Sequence, residues 1–151
     1  KGNIKKTKKI LDKVDLITLR DERSYKTLRE IGIENKNVKV TADPALDLDI
    51  ADEKLGKAIL KNEGVPSDKK LLGVSVRKWQ NLGSDFETQI ANACDYAYEK
   101  YGYYTVFLPM QSSRDTAIMQ NIKRKMKHES AIIKKRYSVE GMLSIIKCFD
   151  M

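Results

Sequence analysis

The stretch Leu71-Leu72-Gly73-Val74-Ser75-Val76 is the strongest strand signal in the 151-residue chain, and it decides the fold class. An apolar run of this length is typical of a strand that is buried on both faces. The pattern then changes to helical spacing over 85–101, and a second strand-like run, YYTVFL, occupies 103–108. Strands that alternate with helices of this length predict a Rossmann-like α/β fold, with a parallel sheet and helices on both faces.

The same alternation extends in both directions along the chain. Further strands are predicted over 15–19, 38–41 and 131–134, and further helices are predicted before Gly32, over 114–128 and from Ser138 onward. We therefore expect three segments. Residues 1–50 are predicted to be the C-terminal portion of a first Rossmann-like domain, 51–70 a crossover helix and linker, and 71–151 an incomplete second Rossmann-like domain.

The net charge of +8 is concentrated in two short stretches. Residues 1–9 hold five lysines and no acid, and residues 123–136 hold seven basic residues against Glu129 alone. Local basic clusters suit an anionic partner such as phosphate, nucleic acid or an acidic membrane face. The alternative interpretation is a solvated helix face.

Several classes of protein find no support in the sequence. No run approaches the roughly 18 apolar residues that a membrane helix needs, and no signal peptide opens the chain. Cys94 and Cys148 lie far apart and there is one histidine, so no structural zinc site is visible. We predict free thiols in a reducing compartment, no metal site and no cofactor.

Polar side chains follow the predicted strands, at the edge where parallel sheets bind their ligands. These candidates are Arg20, Ser75, Arg77, Gln111, Lys134, Lys135 and Arg136. A guanidinium stays charged and offers a fork of donors that matches carboxylate or phosphate. The alternative for Arg20 and Arg77 is an ion pair with a nearby carboxylate. Trp79 is either a packing residue or a stacking platform, and His128 is expected to be solvated.

Five ordered motifs resemble the polysaccharide pyruvyl transferase family of the CsaB type. They are ITLRDERSYKTLREIGI from Ile17, VKVTADPAL from Val38, LLGVSVRKW from Leu71, VFLPMQSSRD from Val106 and SVEGMLSII from Ser138. The resemblance covers about residues 14–151. It implies a two-domain fold similar to GT-B glycosyltransferases, and transfer of a pyruvyl group from phosphoenolpyruvate to a glycan sugar as a cyclic ketal.

The resemblance also implies that the sequence is a fragment. The family's Gly-Asp pair near the start and its later Arg-x-His motif are not in this sequence, and both carry acid–base residues. Arg20, Arg77, Gln111 and Ser75 are then expected to bind the donor, with Lys134, Lys135 and Arg136 as a secondary anion patch. We expect no catalytic residue in the fragment, which should bind the donor but not turn it over.

The implied partners are phosphoenolpyruvate and a lipid-linked or polymeric glycan acceptor, with no specific nucleic acid. The implied location is cytoplasmic, with peripheral contact at the inner face of the membrane. Whether the protein forms a homo-oligomer is left open. Two alternatives remain at this point. One is a GT-B glycosyltransferase, which needs a base-stacking aromatic and an acidic ribose contact. The other is a non-enzymatic anion or nucleic-acid binder, although no RNA-binding or helix-turn-helix signature accompanies the charge.

Overall fold

A computed structural model describes residues 2–48, 52–77, 83 and 85–151, without the side chains of Ser112 and Ser113. The chain forms two compact units, Lys1–Asp49 and Ile50–Met151. Both contain parallel strands connected by helices, so the Rossmann-like α/β fold class is confirmed. The assignment of the units to a first and a second domain of a larger enzyme stays a prediction.

The first unit contains two parallel strands. Its elements are α1 (Gly2–Leu11), β1 (Ile17–Leu19), α2 (Glu22–Glu30), β2 (Val38–Val40) and a short 3-10 helix at Pro44–Asp47. Asp21 caps α2 because its carboxylate accepts the Ser24 amide at 2.6 Å. In this way β1 leads directly into α2, and β2 then returns to pair beside β1.

The second unit contains a three-stranded parallel sheet. Its elements are α3 (Glu53–Asn62), β3 (Lys70–Val74), α4 (Phe86–Tyr101), β4 (Tyr103–Phe107), α5 (Ser112–Lys125), β5 (Ser130–Ile132) and α6 (Val139–Lys147). The strand order is β3-β4-β5, with Leu71 opposite Tyr104 and Val106 opposite Ala131.

Helices cover both faces of this sheet. Tyr104, Val106 and Leu108 of the central region pack with α3 and α6 into one apolar cluster. Phe107 points to the other face and packs with α4 and α5. Because successive residues of a strand point to opposite faces, a strand covered on both sides must be apolar throughout. The run over 103–108 meets this requirement except at Thr105, a polar residue that is buried.

Several elements end earlier than their sequence pattern predicts. β2 ends at Val40, β3 at Val74 and β4 at Phe107, and α5 and β5 also stop short. The helix predicted over 114–128 ends at Lys125, because the buried Asp95 carboxylate accepts the amides of Lys127 (2.9 Å) and His128 (3.1 Å) and pulls them out of the helical path. The strand predicted over 131–134 ends at Ile132. Its neighbour continues into Pro109, which has no amide hydrogen to extend the ladder.

The last residues of the chain lie along the free edge of β3. The Met151 amide donates to the Leu71 carbonyl at 3.3 Å, and the Met151 carbonyl accepts the Gly73 amide at 2.8 Å. A Cβ atom on Gly73 would stand 2.1 Å from the Phe149 ring, so a residue with a side chain fits there only if that ring moves. The close approach of the Phe149 ring therefore accounts for a glycine inside this strand.

Candidate functional site

A cleft of about 750 Å³ opens at the carboxyl edge of the three-stranded sheet. Its walls are the loop after β4, the first turn of α5, the loop after β5 and one side of α6. In parallel α/β sheets this edge collects the loops that hold ligands, since every strand delivers its following loop to the same side. The position therefore matches the general rule for ligand sites.

The polar lining of the cleft is cationic. Four basic residues contribute to it, together with one amide side chain and one phenol: Arg114, Lys134, Lys135, Arg136, Gln111 and Tyr137. Among the described residues that line the cleft, none is acidic. All four cations are exposed, so they retain hydration and can still bind an incoming anion. We call this cavity the basic cleft.

One wall of the basic cleft is apolar. α6 contributes Val139, Met142, Leu143 and Ile146, which follow the i, i+3, i+4, i+7 spacing of a single helix face. Val139 is 63% exposed, although the same helix buries Ile145 completely against the sheet. The basic cleft thus offers cationic groups on one side and an uncovered apolar surface on the other.

The loop that carries three of the cations is held from behind by Glu63, at the end of α3. The Glu63 carboxylate accepts the Lys134 amide at 2.9 Å, the Lys135 amide at 3.1 Å and the Tyr137 hydroxyl at 2.7 Å. Burial alone would raise the pKa of Glu63, but these hydrogen bonds outweigh it and lower the pKa. Burial and the bond to Glu63 raise the pKa of Tyr137 to about 12. Glu63 is therefore ionised and Tyr137 neutral at physiological pH.

The loop after β4 is fixed by another carboxylate, and this one is buried. Asp115, in the first turn of α5, accepts the Gln111 amide at 2.6 Å. Its other oxygen lies 3.8 Å from Nε of Arg77, which follows β3 and leaves half of its side chain exposed. Asp115 therefore connects two residues that the sequence assigned to the donor site. The ion pair, which is the alternative for Arg77, is present. A donor-binding role of Arg77 stays a prediction.

Ser75 lies in a smaller cavity of about 310 Å³ beside the basic cleft, and Met110 and Ile146 line both. Arg77 lines neither cavity. Trp79 lies outside the described residues. Of the four residues predicted to bind the donor, only Gln111 lies in the basic cleft, next to the secondary patch of Lys134 to Arg136.

Arg20 belongs to the first unit, where it follows β1. Its side chain is 70% exposed, its Nη1 lies 3.1 Å from Oδ2 of Asp43, and its Nε lies 3.7 Å from Oδ2 of Asp21. Two hydrogen bonds lower the pKa of Asp43. The larger effect comes from the Ala45 amide, and the smaller one comes from the Arg20 side chain. The carboxylate pairing that we had kept as the alternative for Arg20 is thus present, and its donor-binding role stays a prediction.

The basic stretch 123–136 is divided between opposite ends of β5. Lys134, Lys135 and Arg136 follow the strand and line the basic cleft, whereas residues 123–129 precede the strand. There Lys123 binds the Ser130 carbonyl. His128 stacks on Tyr98 at 4.1 Å and pairs with Glu99 at 3.2 Å, so it is half-buried rather than solvated. The basic cluster that is continuous in the sequence therefore forms two separate surfaces in the fold, one at each end of β5.

Three residues of this region are not among those predicted from the sequence: Arg114, Tyr137 and Glu63. Arg114 had a usable signal, because it opens a helix directly after a strand end. Glu63 had none, because it lies 71 residues before Lys134 and reaches the site only through helix packing.

Comparison with known proteins gives one match. The family model for polysaccharide pyruvyl transferase matches residues 1–151. No curated protein and no solved structure matches the chain significantly. No helix in the described part of the chain is long and apolar enough to cross a membrane.

Proposed function

Because the chain belongs to the polysaccharide pyruvyl transferase family, we propose that it serves the transfer of a pyruvyl group from phosphoenolpyruvate to a sugar of a cell-wall or exopolysaccharide. In this reaction two sugar hydroxyls bond to C2 of the donor, and the C–O bond to phosphate breaks. One hydroxyl proton goes to the methylene carbon, which becomes a methyl group, and the other leaves with phosphate. The product is a cyclic ketal.

The basic cleft is the observation that carries this proposal. Phosphoenolpyruvate has a carboxylate and a phosphate on a three-carbon frame, so its site needs several fixed cations and a small apolar surface. Arg114 and Lys134 to Arg136 supply the cations, Gln111 supplies a neutral donor, and the α6 wall accommodates the methylene group. Cations at this edge would also stabilise phosphate as it leaves.

The lining of the basic cleft suits binding better than proton transfer. General acid–base catalysis needs groups with pKa values near the working pH. Tyr137, with a pKa of about 12, is bound to Glu63, and guanidinium groups do not lose their protons. His128 lies before β5, at the other end of that strand. The residues described here therefore act in donor binding, and proton transfer falls to groups outside the basic cleft.

The proposed acceptor is a lipid-linked or polymeric glycan, and the proposed location is the cytoplasm near the inner face of the membrane. Lys123 to Lys127, on the surface before β5, would then face anionic lipid, at roughly 1 kcal/mol per basic residue near such a surface. A homo-oligomer is compatible with this proposal but is not required by it.

The test is a titration of the isotope-labelled chain with phosphoenolpyruvate, followed by NMR at low and moderate salt. Exposed ion pairs contribute about 0–1 kcal/mol each, so we expect a dissociation constant near 1 mM, which corresponds to roughly −4.1 kcal/mol. The double variant Lys135→Gln/Arg136→Gln should weaken binding by about tenfold. The matched control is Lys127→Gln, which removes a charge of the same sequence cluster from the other end of β5.

A third variant separates the basic cleft from Arg77, which the resemblance assigned to donor binding. Arg77→Ala should leave the shifts of the Lys134 and Lys135 amides intact if the donor occupies the basic cleft. Loss of binding in Arg77→Ala, with normal binding in Lys135→Gln/Arg136→Gln, would instead locate the donor beside Arg77 and refute the proposed site.

A further inference from the structure

Glu63 stands behind the basic cleft without lining it. It belongs to the end of α3, whereas the cations belong to the loop after β5 and to α5. Its three hydrogen bonds all go to the loop of residues 134–137, and they engage two consecutive backbone amides and the Tyr137 hydroxyl. No other side chain of the described residues makes this many bonds to that loop.

The three bonds hold the loop of residues 134–137 in one conformation. Without them, the loop would have to adopt that conformation each time a ligand binds. Lys134, Lys135 and Arg136 are consecutive, exposed and of like charge, so an untethered loop would separate them. Ordering such side chains and their backbone on binding reduces affinity, and preorganisation removes part of this loss. A carboxylate that accepts backbone amides from behind leaves the ammonium and guanidinium groups available to the ligand.

We infer that Glu63 is a positioning residue for anion binding: through the Lys134 and Lys135 amides and the Tyr137 hydroxyl, it holds the cationic loop in the form that receives the phosphate or carboxylate of the ligand. The inference rests on the proposed function for the identity of the ligand. It does not require phosphoenolpyruvate, since any small phosphate-bearing anion would engage the same loop.

Glu63 could affect anion binding through its charge or by positioning the loop. These two roles predict opposite changes in anion affinity for the variant Glu63→Gln. Removing a negative charge near Lys135 should strengthen anion binding if Glu63 acts only through its field. Glutamine keeps one acceptor oxygen but loses the second, so at least one loop bond must break. If positioning dominates, the affinity for inorganic phosphate falls by about three- to tenfold. The sign of the change therefore decides between the two roles.

Two further variants complete the design. Tyr137→Phe removes one of the three bonds and keeps the ring, so it should weaken phosphate binding less than Glu63→Gln does, and it keeps the test available if that variant does not fold. Asp95→Asn is the matched control. Asp95 also accepts two consecutive amides, those of Lys127 and His128, but it does so before β5. It should lower the melting temperature and leave phosphate affinity unchanged.

The experiment is NMR titration of each variant with inorganic phosphate and, separately, with phosphoenolpyruvate, next to a thermal melt. A pH titration of the Tyr137 ring signals by NMR confirms the lost contact, because the pKa of Tyr137 should fall from about 12 toward the ordinary value of 10.0 in Glu63→Gln. Unchanged or tighter phosphate binding by Glu63→Gln, or equal weakening in Asp95→Asn, would overturn the inference. Glu63-dependent binding of phosphate without binding of phosphoenolpyruvate would support it while refuting the proposed donor.

Discussion

Gly56 allows α3 and α6 to approach more closely than any residue with a side chain would. A Cβ atom built on Gly56 would stand 2.1 Å from the Ser144 carbonyl oxygen and 2.6 Å from Sγ of Cys148. Ordinary contacts of a Cβ atom begin near 3.4 Å. The variant Gly56→Ala must therefore move the two helices apart by roughly 1 Å, since a backbone carbonyl cannot rotate away as a side chain can.

Two opposing effects determine the free energy of this change. Alanine in a helix interior is favoured over glycine by about 1 kcal/mol, so helix propensity alone predicts stabilisation. Overpacking in a close interface costs about 1–3 kcal/mol and occasionally more. A radial gap of about 1 Å also loses a quarter to a half of the dispersion attraction between the facing atoms. We expect a net destabilisation of about 2 kcal/mol, or a melting temperature lower by about 10 °C for a unit of this size.

The assay is thermal and urea unfolding of the chain, with Gly83→Ala as the control. A Cβ atom on Gly83 would meet none of the described residues within 4 Å, so that variant should change stability by about 0.5 kcal/mol or less. If Gly56→Ala proved as stable as the original chain, or more stable, helix propensity would dominate and the close approach of α3 and α6 would not be a stability determinant.

Two further predictions concern chemistry and pH. The chain of residues 1–151 should release no phosphate from phosphoenolpyruvate in a coupled assay with a glycan acceptor, because the Tyr137 phenol and the guanidinium groups of the basic cleft are poor proton-transfer groups; release well above a buffer blank would contradict this. The raised pKa of Tyr137 should stabilise the fold fully below pH 10, and this contribution should disappear as the pH rises to about 12. Chemical unfolding between pH 9 and 12 checks the second prediction, and an identical pH slope in Tyr137→Phe would show it to be wrong.

The division of the chain into strands and helices was readable from sequence because its causes are local. The apolar runs at 71–76 and 103–108, the helical spacing over 85–101 and the glycine after it each depend on residues within a few positions. Gly102 indeed ends α4 with a φ of 73°. The same rhythm placed Gln111 and Lys134 to Arg136 at carboxyl ends of strands, and from there in the basic cleft.

Element ends were less predictable because distant side chains set them. α5 stops at Lys125 on account of Asp95, which lies about 30 positions earlier and on another helix. β5 stops at Ile132 because its neighbouring strand reaches Pro109. Neither cause belongs to the local pattern that predicted these elements.

The sequence by itself determined the α/β fold class, the order of the elements and the family, since periodicity, caps and ordered motifs are properties of neighbouring residues. Tertiary structure alone decided that Glu63 supports a loop 71 residues away, that Arg77 pairs with Asp115, and that Arg114 joins the cations after β5. Those contacts depend on which helix faces pack together. Many residues of similar hydrophobicity can form the same packed interface. The hydrophobic pattern of a single sequence therefore does not specify which polar groups meet where two elements pack together.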